Sequence, residues 1–164
     1  MKRGLLLLTV LLLLLPALPG YRLIYREQLY ELFHRQLTVR PMNPAENIVW
    51  LEQALQADFA NPLYALVRVD SPREHELYRA LLTMQIHLLL VDQYLHWASL
   101  YYKFDAYWYN QPWRDQNLES LDRAEDLLEI GLYYWEQARQ QSDIAAEFAF
   151  LFLEGAEQWH NQSH

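Results

Sequence analysis

Apolar positions along this chain recur at helical steps, and nowhere in long alternation. Leu77, Leu81, Met84, Leu88, Val91, Leu95, Ala98 and Tyr102 alternate steps of four and three. That spacing holds one stripe on one side of an α helix for about seven turns, as helix-on-helix packing requires. A second seam follows the same rule from Leu121 through Ala124, Leu128, Gly131, Trp135, Ala138, Ser142 and Ala145 to Trp159. Small residues hold more than half of its places, so a neighbouring helix can come close. A glycine inside a helix costs about 1 kcal/mol relative to alanine. Close approach of a helix or a large side chain at Gly131 is the expected return, and simple tolerance of the cost is the alternative. Leu88, Leu95, Gly131 and Trp135 are the packing positions these two seams predict.

Helix starts are written in capping chemistry. Asn43-Pro44-Ala45-Glu46 and Ser71-Pro72-Arg73-Glu74 each supply a capping side chain, a proline at the first helical position and a glutamate at the third. Asn61-Pro62 repeats the first half of the device. The pattern predicts helices near 22–38, 44–58, 62–69 and from 72 onward, with a fifth from Asp115 or Gln116. Ser142-Asp143 offers one more cap, so 116–160 reads as one long helix or as two. Beyond residue 20 only Gly131 and Gly155 remain, and no proline follows Pro112. So few breakers exclude a turn-rich β sandwich or barrel. The fold class is all-α: a bundle of antiparallel helical hairpins forming a single domain over 21–164.

The first twenty residues read as an address. Met1-Lys2-Arg3 is basic, Leu5–Leu15 is apolar apart from Thr9, and Pro16 to Gly20 breaks any helix. This is the layout of a secretory signal, and the run is short for a bilayer span of about 20 apolar residues. Cleavage after Ala17 lacks a clean small-x-small triplet. An uncleaved inner-membrane tether through residues 1–24 therefore stands beside it. Either way the basic end stays cytoplasmic and the remainder is exported, to a periplasmic or periplasm-facing, membrane-anchored position.

Composition narrows the chemistry. Of 164 residues none is cysteine, which removes disulfides, thiolate metal sites and a thiol nucleophile. Thirteen basic against 21 acidic side chains give a net charge of −8, unsuited to nucleic acid. Asp92 and His96 stand one helical turn apart, but no second histidine falls in register with them, and His87 sits among Ile86 and Leu88–Leu90 as a core or boundary residue. His160 and His164 lie in the tail. No His-Glu-x-x-His, glycine-rich phosphate loop or Gly-x-Ser-x-Gly elbow occurs. Glu119, Glu125 and Glu129 fit a solvated helix face better than a paired acid and base. No metal, cofactor or catalytic residue is implied.

Nine of the twenty residues Tyr94–Trp113 are aromatic. Tyr102 continues the first seam, flanked by Trp97 and Tyr101. Phe104, Tyr107, Trp108 and Tyr109 come where the apolar phase fails at Asp105, and four such rings in six residues cannot all point inward. These four, with Trp113, are the candidate partner-binding residues, since Tyr and Trp carry interface energy. A cluster closing one end of the bundle is the structural alternative. A glycan or peptidoglycan site, in which rings stack on sugars, is the third.

Two resemblances add to this reading. Leu51-Glu52-Gln53-Ala54-Leu55-Gln56-Ala57-Asp58, with Asn61-Pro62, resembles the second helix and following turn of a tetratricopeptide repeat, although no second copy recurs 34 residues on. Asn61-Pro62-Leu63-Tyr64-Ala65-Leu66, then Lys103-Phe104-Asp105-Ala106-Tyr107-Trp108-Tyr109-Asn110 and Pro112-Trp113, resemble small exported helical proteins of spirochaetes. Some of that group are tied to the periplasmic collar of the flagellar motor. The second resemblance spans roughly 44–140 and implies a non-catalytic scaffold or adaptor that assembles with a protein partner or with itself. A helical protein binding a small ligand or glycan is the alternative.

Overall fold

The computed structural model describes residues 24–39, 43–102 and 113–162. Among them it is all-helical: α1 (Arg26–Val39), α2 (Pro44–Gln56), a single 3-10 turn (Pro62–Tyr64), α3 (Pro72–Tyr101) and α4 (Trp113–Gln162). The capping prolines begin α2 and α3 where the sequence puts them. Asn43 Oδ1 accepts from the Glu46 backbone N–H at 3.2 Å while its own amide donates to the Glu46 carboxylate at 3.0 Å. Ser71 Oγ accepts from the Glu74 N–H at 3.2 Å. Asn61 does the same for Leu63, yet only a 3-10 turn results instead of the expected helix over 62–69. Leu63, Tyr64, Leu66 and Val67 stay exposed and only Ala65 and Val69 touch the core, too little burial to offset the cost of nucleating a helix.

α4 is unbroken across Ser142-Asp143, which settles the choice between one helix and two. Asp143 caps nothing there; it pairs with Arg139 one turn back. At 1.5 Å per residue, α3 and α4 run about 45 and 75 Å, against about 20 Å for α1 and α2. α3 is the central element: α2 lies against it, α1 packs on α2, and α4 runs along it as the most extensive pairing of the fold. Phe33, Leu51, Ile86, Leu90 and Leu127 are fully buried and bring all four helices into one core.

Two polar ties pin the short helices. Arg26 donates from Nε and a terminal nitrogen to the Ala54 and Leu55 carbonyls and from the other to Thr83 Oγ1, at 2.7–3.0 Å. It thereby satisfies carbonyls of the last turn of α2, where a cation is favoured. Glu27 is buried, with one carboxylate oxygen accepting from the Ala60 N–H and the other from the Tyr78 hydroxyl. Burial pushes the Tyr78 hydroxyl up to about 12, so it remains a donor.

The buried stripes differ from the predicted seams. On α4 the small residues Ala124, Gly131, Ala138 and Ala145, seven apart, are buried as expected. Their partners in the contact are Leu127, Tyr134, Gln141 and Phe148, while Leu128, Trp135 and Ser142 turn outward. On α3 the buried arc is Tyr78, Leu82, Ile86, Leu90, Tyr94 and Ala98, with His87 and Gln93 inside it. Leu81, Leu95 and Tyr102 of the predicted seam are exposed. α3 is apolar round most of its circumference, and its contacts with α2 and α4 claim a wide arc next to that seam.

Candidate functional site

The displaced stripes leave an apolar groove between α3 and α4. One part, about 410 Å³, is lined by Val91, Leu95, Leu128, Gly131, Leu132 and Trp135. The next, about 220 Å³, is lined by Met84, Leu88, Trp135, Ala138, Arg139 and Ser142. Trp135 lines both, so the two adjoin at its side chain along the helix pair. Leu95, Leu132 and Trp135 are 49%, 66% and 53% exposed, which for three large apolar side chains side by side marks a surface built for contact.

The floor of the groove is held by a polar cluster beneath it. Gly131 is buried, and a Cβ built on it would sit 3.6 Å from Tyr94 Cβ, an ordinary contact. Tyr94 is the neighbour of this glycine, at a distance that leaves room for a methyl group. The Tyr94 ring stacks on Tyr134 at 5.6 Å, and both hydroxyls donate to Oε1 of Glu52, at 3.1 and 2.9 Å. One carboxylate of α2 thus fixes α3 and α4 together. Burial and the facing Glu52 carboxylate push the Tyr94 hydroxyl up to about 12 and the Tyr134 hydroxyl higher still, keeping both as donors. Alongside, buried Asn47 donates to Gln93 Oε1 at 2.8 Å, and Gln93 donates to Asp92.

His87 stacks on Tyr134 at 6.0 Å and is buried, its Nδ1 without a hydrogen-bond partner among the described residues. Burial, helped by the Arg26 charge, brings its imidazole down from 6.5 to about 4. In the unfolded chain the ring takes up a proton near pH 6.5 that the fold refuses until about pH 4. Its contribution is therefore complete above that range and is lost as the pH falls through it. The loss should amount to about 1–2 kcal/mol, allowing for a partly solvated ring edge. Urea unfolding at pH 7 and 4.5 should show a smaller acid loss in His87→Leu than in the parent chain, and equal losses would contradict this.

The sequence-predicted residues are distributed as follows. Phe104, Tyr107, Trp108 and Tyr109 lie outside the described residues. Trp113 opens α4, and its side chain lies outside them too. Of the packing set, Gly131 is buried against Tyr94, Leu88 is half-buried, and Leu95 and Trp135 line the open groove. Asp92 and His96 line neither the groove nor the cavity beside Arg26. Among the described residues no three His, Asp or Glu side chains gather as a metal site. No described helix is long and apolar enough to cross a membrane. Sequence reasoning missed the groove and Glu52. The signal for the groove was present in Leu132, which widens the apolar face of Leu128 and Trp135 beyond the predicted seam.

A second cavity, about 390 Å³, opens where α3 and α4 meet the end of α2, lined by Arg26, Asp58, Phe59, Glu76, Arg79 and others. The guanidinium groups of Arg26 and Arg79 both lie over the Phe59 ring, at 4.2 and 4.9 Å. Arg26 is committed through all three of its nitrogens, to α2 and Thr83, and Arg79 spends one nitrogen on Glu76.

Fold and site together define an all-helical bundle with an open apolar groove on its two longest helices. The chain belongs to the family described as Domain of unknown function (DUF8513), which matches it over residues 73–164. That span takes in essentially all of α3 and α4, and with them the whole groove. No curated protein and no solved structure matches the chain.

Proposed function

We propose that this protein is a non-catalytic helical scaffold or adaptor that docks another protein in the α3/α4 groove. The observation that carries this reading is the run of exposed Leu95, Leu132 and Trp135 over a floor made rigid by the Glu52 cluster. Groove recognition needs apolar walls that hold their shape before the partner arrives, because walls already ordered lose little entropy on binding. The aromatic residues Phe104, Tyr107, Trp108, Tyr109 and Trp113 belong to the same reading as a second contact region.

The finer parts of the proposal rest on sequence. The basic start and apolar run of residues 1–20 support export to the periplasmic side, by a cleaved signal or an inner-membrane tether. The likeness of residues 51–62 to a tetratricopeptide turn supports a hairpin arrangement of that kind for the short helices. The likeness to exported spirochaetal proteins supports a place in assembling a periplasmic structure of the flagellar motor.

The cavity beside Arg26 supports a second reading, a small-ligand or glycan site. Arg26 is already engaged within the fold through all three nitrogens, so docking is preferred.

A photo-crosslinking residue placed at Leu95, Leu128 or Leu132 tests the proposal in the living cell, with exposed Asp126 on the other side of α4 as control. Docking predicts one discrete adduct of the same mass from all three groove positions and none from position 126. Absence of an adduct at every groove position, or equal labelling at position 126, would overturn it.

A further inference from the structure

Resting on the docking reading, the charges around the groove specify the kind of partner. One step outward from Leu132, α4 presents Glu125, Glu129, Glu136 and Asp143, all exposed and spaced at four and seven residues. The α3 lip adds exposed Asp92. Among the described residues the only basic side chain on this α4 stripe is Arg139, and it is already shared between Glu136 at 2.6 Å and Asp143 at 3.2 Å. The groove is therefore an apolar channel with an acidic lip on α4 and a single carboxylate, Asp92, on the α3 side. Its walls run about 16 Å along α3, from Met84 to Leu95, and about 21 Å along α4, from Leu128 to Ser142, or roughly three to four helical turns.

We propose that the α3/α4 groove receives a cationic amphipathic helix of a partner protein. Its apolar stripe lies along Leu88, Leu95, Leu132 and Trp135, and its lysines or arginines reach outward to Glu125, Glu129 and Asp92. The helix-in-groove mode requires an apolar channel a few turns long, and the acidic lip then selects among helices by charge. A second copy of this chain is a poor occupant. It brings the same acidic lip and a net charge of −8 to an already acidic surface. An anionic membrane surface is disfavoured for the same reason.

The test is titration of the full chain with three labelled synthetic helices of about 18 residues, a length that lets an alanine-rich helix form. One carries a leucine stripe with lysine flanks. The second replaces every lysine with glutamate. The third keeps the lysines but scatters the leucines. Fluorescence anisotropy should give a Kd about tenfold or more lower for the lysine helix than for its glutamate twin. The scattered helix should bind no better than that twin. The preference should shrink on going from about 50 to 500 mM salt and reverse in the chain carrying Glu125→Lys, Glu129→Lys and Glu136→Lys, with unchanged helicity by circular dichroism.

Equal binding of both leucine-striped helices would overturn selection by charge while leaving docking intact. Failure of both, beside groove adducts in the cell, would overturn the helical occupant alone. Equal binding of the scattered helix would reduce the effect to general charge attraction and overturn the proposal. So would a dimer in sedimentation velocity that Leu132→Glu dissolves, or an adduct of Leu132 within its own chain.

Discussion

Glu52→Leu is expected to destabilise the fold by about 3 kcal/mol. Two tyrosine hydroxyls, from α3 and α4, donate to a single carboxylate oxygen at 3.1 and 2.9 Å. A hydrogen bond to a charged group contributes about 1.5–3 kcal/mol, and a half-buried hydroxyl left without a partner adds a desolvation cost. Partial exposure of the carboxylate keeps the sum near the lower end. Tyr94→Phe and Tyr134→Phe should each cost about 1–2 kcal/mol, because each removes a donor and leaves the carboxylate its other partner. In the Glu52→Leu background the same tyrosine substitutions should cost little, since the hydroxyls there have nothing to lose. Urea unfolding of the single and double variants measures this coupling. Additive losses would show that Glu52 does not join the two helices.

Gly131→Leu should cost about 2 kcal/mol, whereas Gly131→Ala should leave stability unchanged or raise it by up to about 1 kcal/mol. A Cβ at this position meets Tyr94 Cβ at 3.6 Å, which a methyl group fits without displacement. The branches of leucine have no such room on the α3 side. They must displace a ring that is stacked on Tyr134 and bonded to Glu52, or turn into the groove and fill it. The leucine variant is therefore expected to lose both stability and groove binding, and the alanine variant neither. Melting temperatures of the two variants check the first part, and an unchanged value for Gly131→Leu would contradict the close contact.

These two sites show why some of the architecture could be read in advance and some could not. Helix starts at Pro44 and Pro72 were legible because the cap, the proline and the acidic third residue all act within four residues of chain. The all-helical class followed from the lack of breakers, and the burial of Gly131 from its place in a row of small residues. The choice of buried stripe was hidden for a different reason. On α4 the small residues are flanked on both sides by apolar candidates, Leu127 and Tyr134 on one, Leu128 and Trp135 on the other. Periodicity fits either pair equally well. The decision is made by Glu52 and Asn47, which lie on a different helix and draw Tyr134 and Gln93 inward. Buried Glu27, Asn47 and Gln93 look like surface residues in a hydropathy pattern, because their partners lie elsewhere in the chain. With Tyr134 and Gln93 held inside, Leu95, Leu128 and Trp135 are left to line the groove.

Hydroxyl-radical footprinting of the purified chain beside the same chain in its native cell tests the docking account most directly. If the α3/α4 channel is open until a partner fills it, Leu95, Leu132 and Trp135 will oxidise readily in isolation and become strongly protected in the cell, while Tyr133 on the far side of α4 changes little. Protection already present in the isolated monomer, or equal oxidation in both settings, would contradict it.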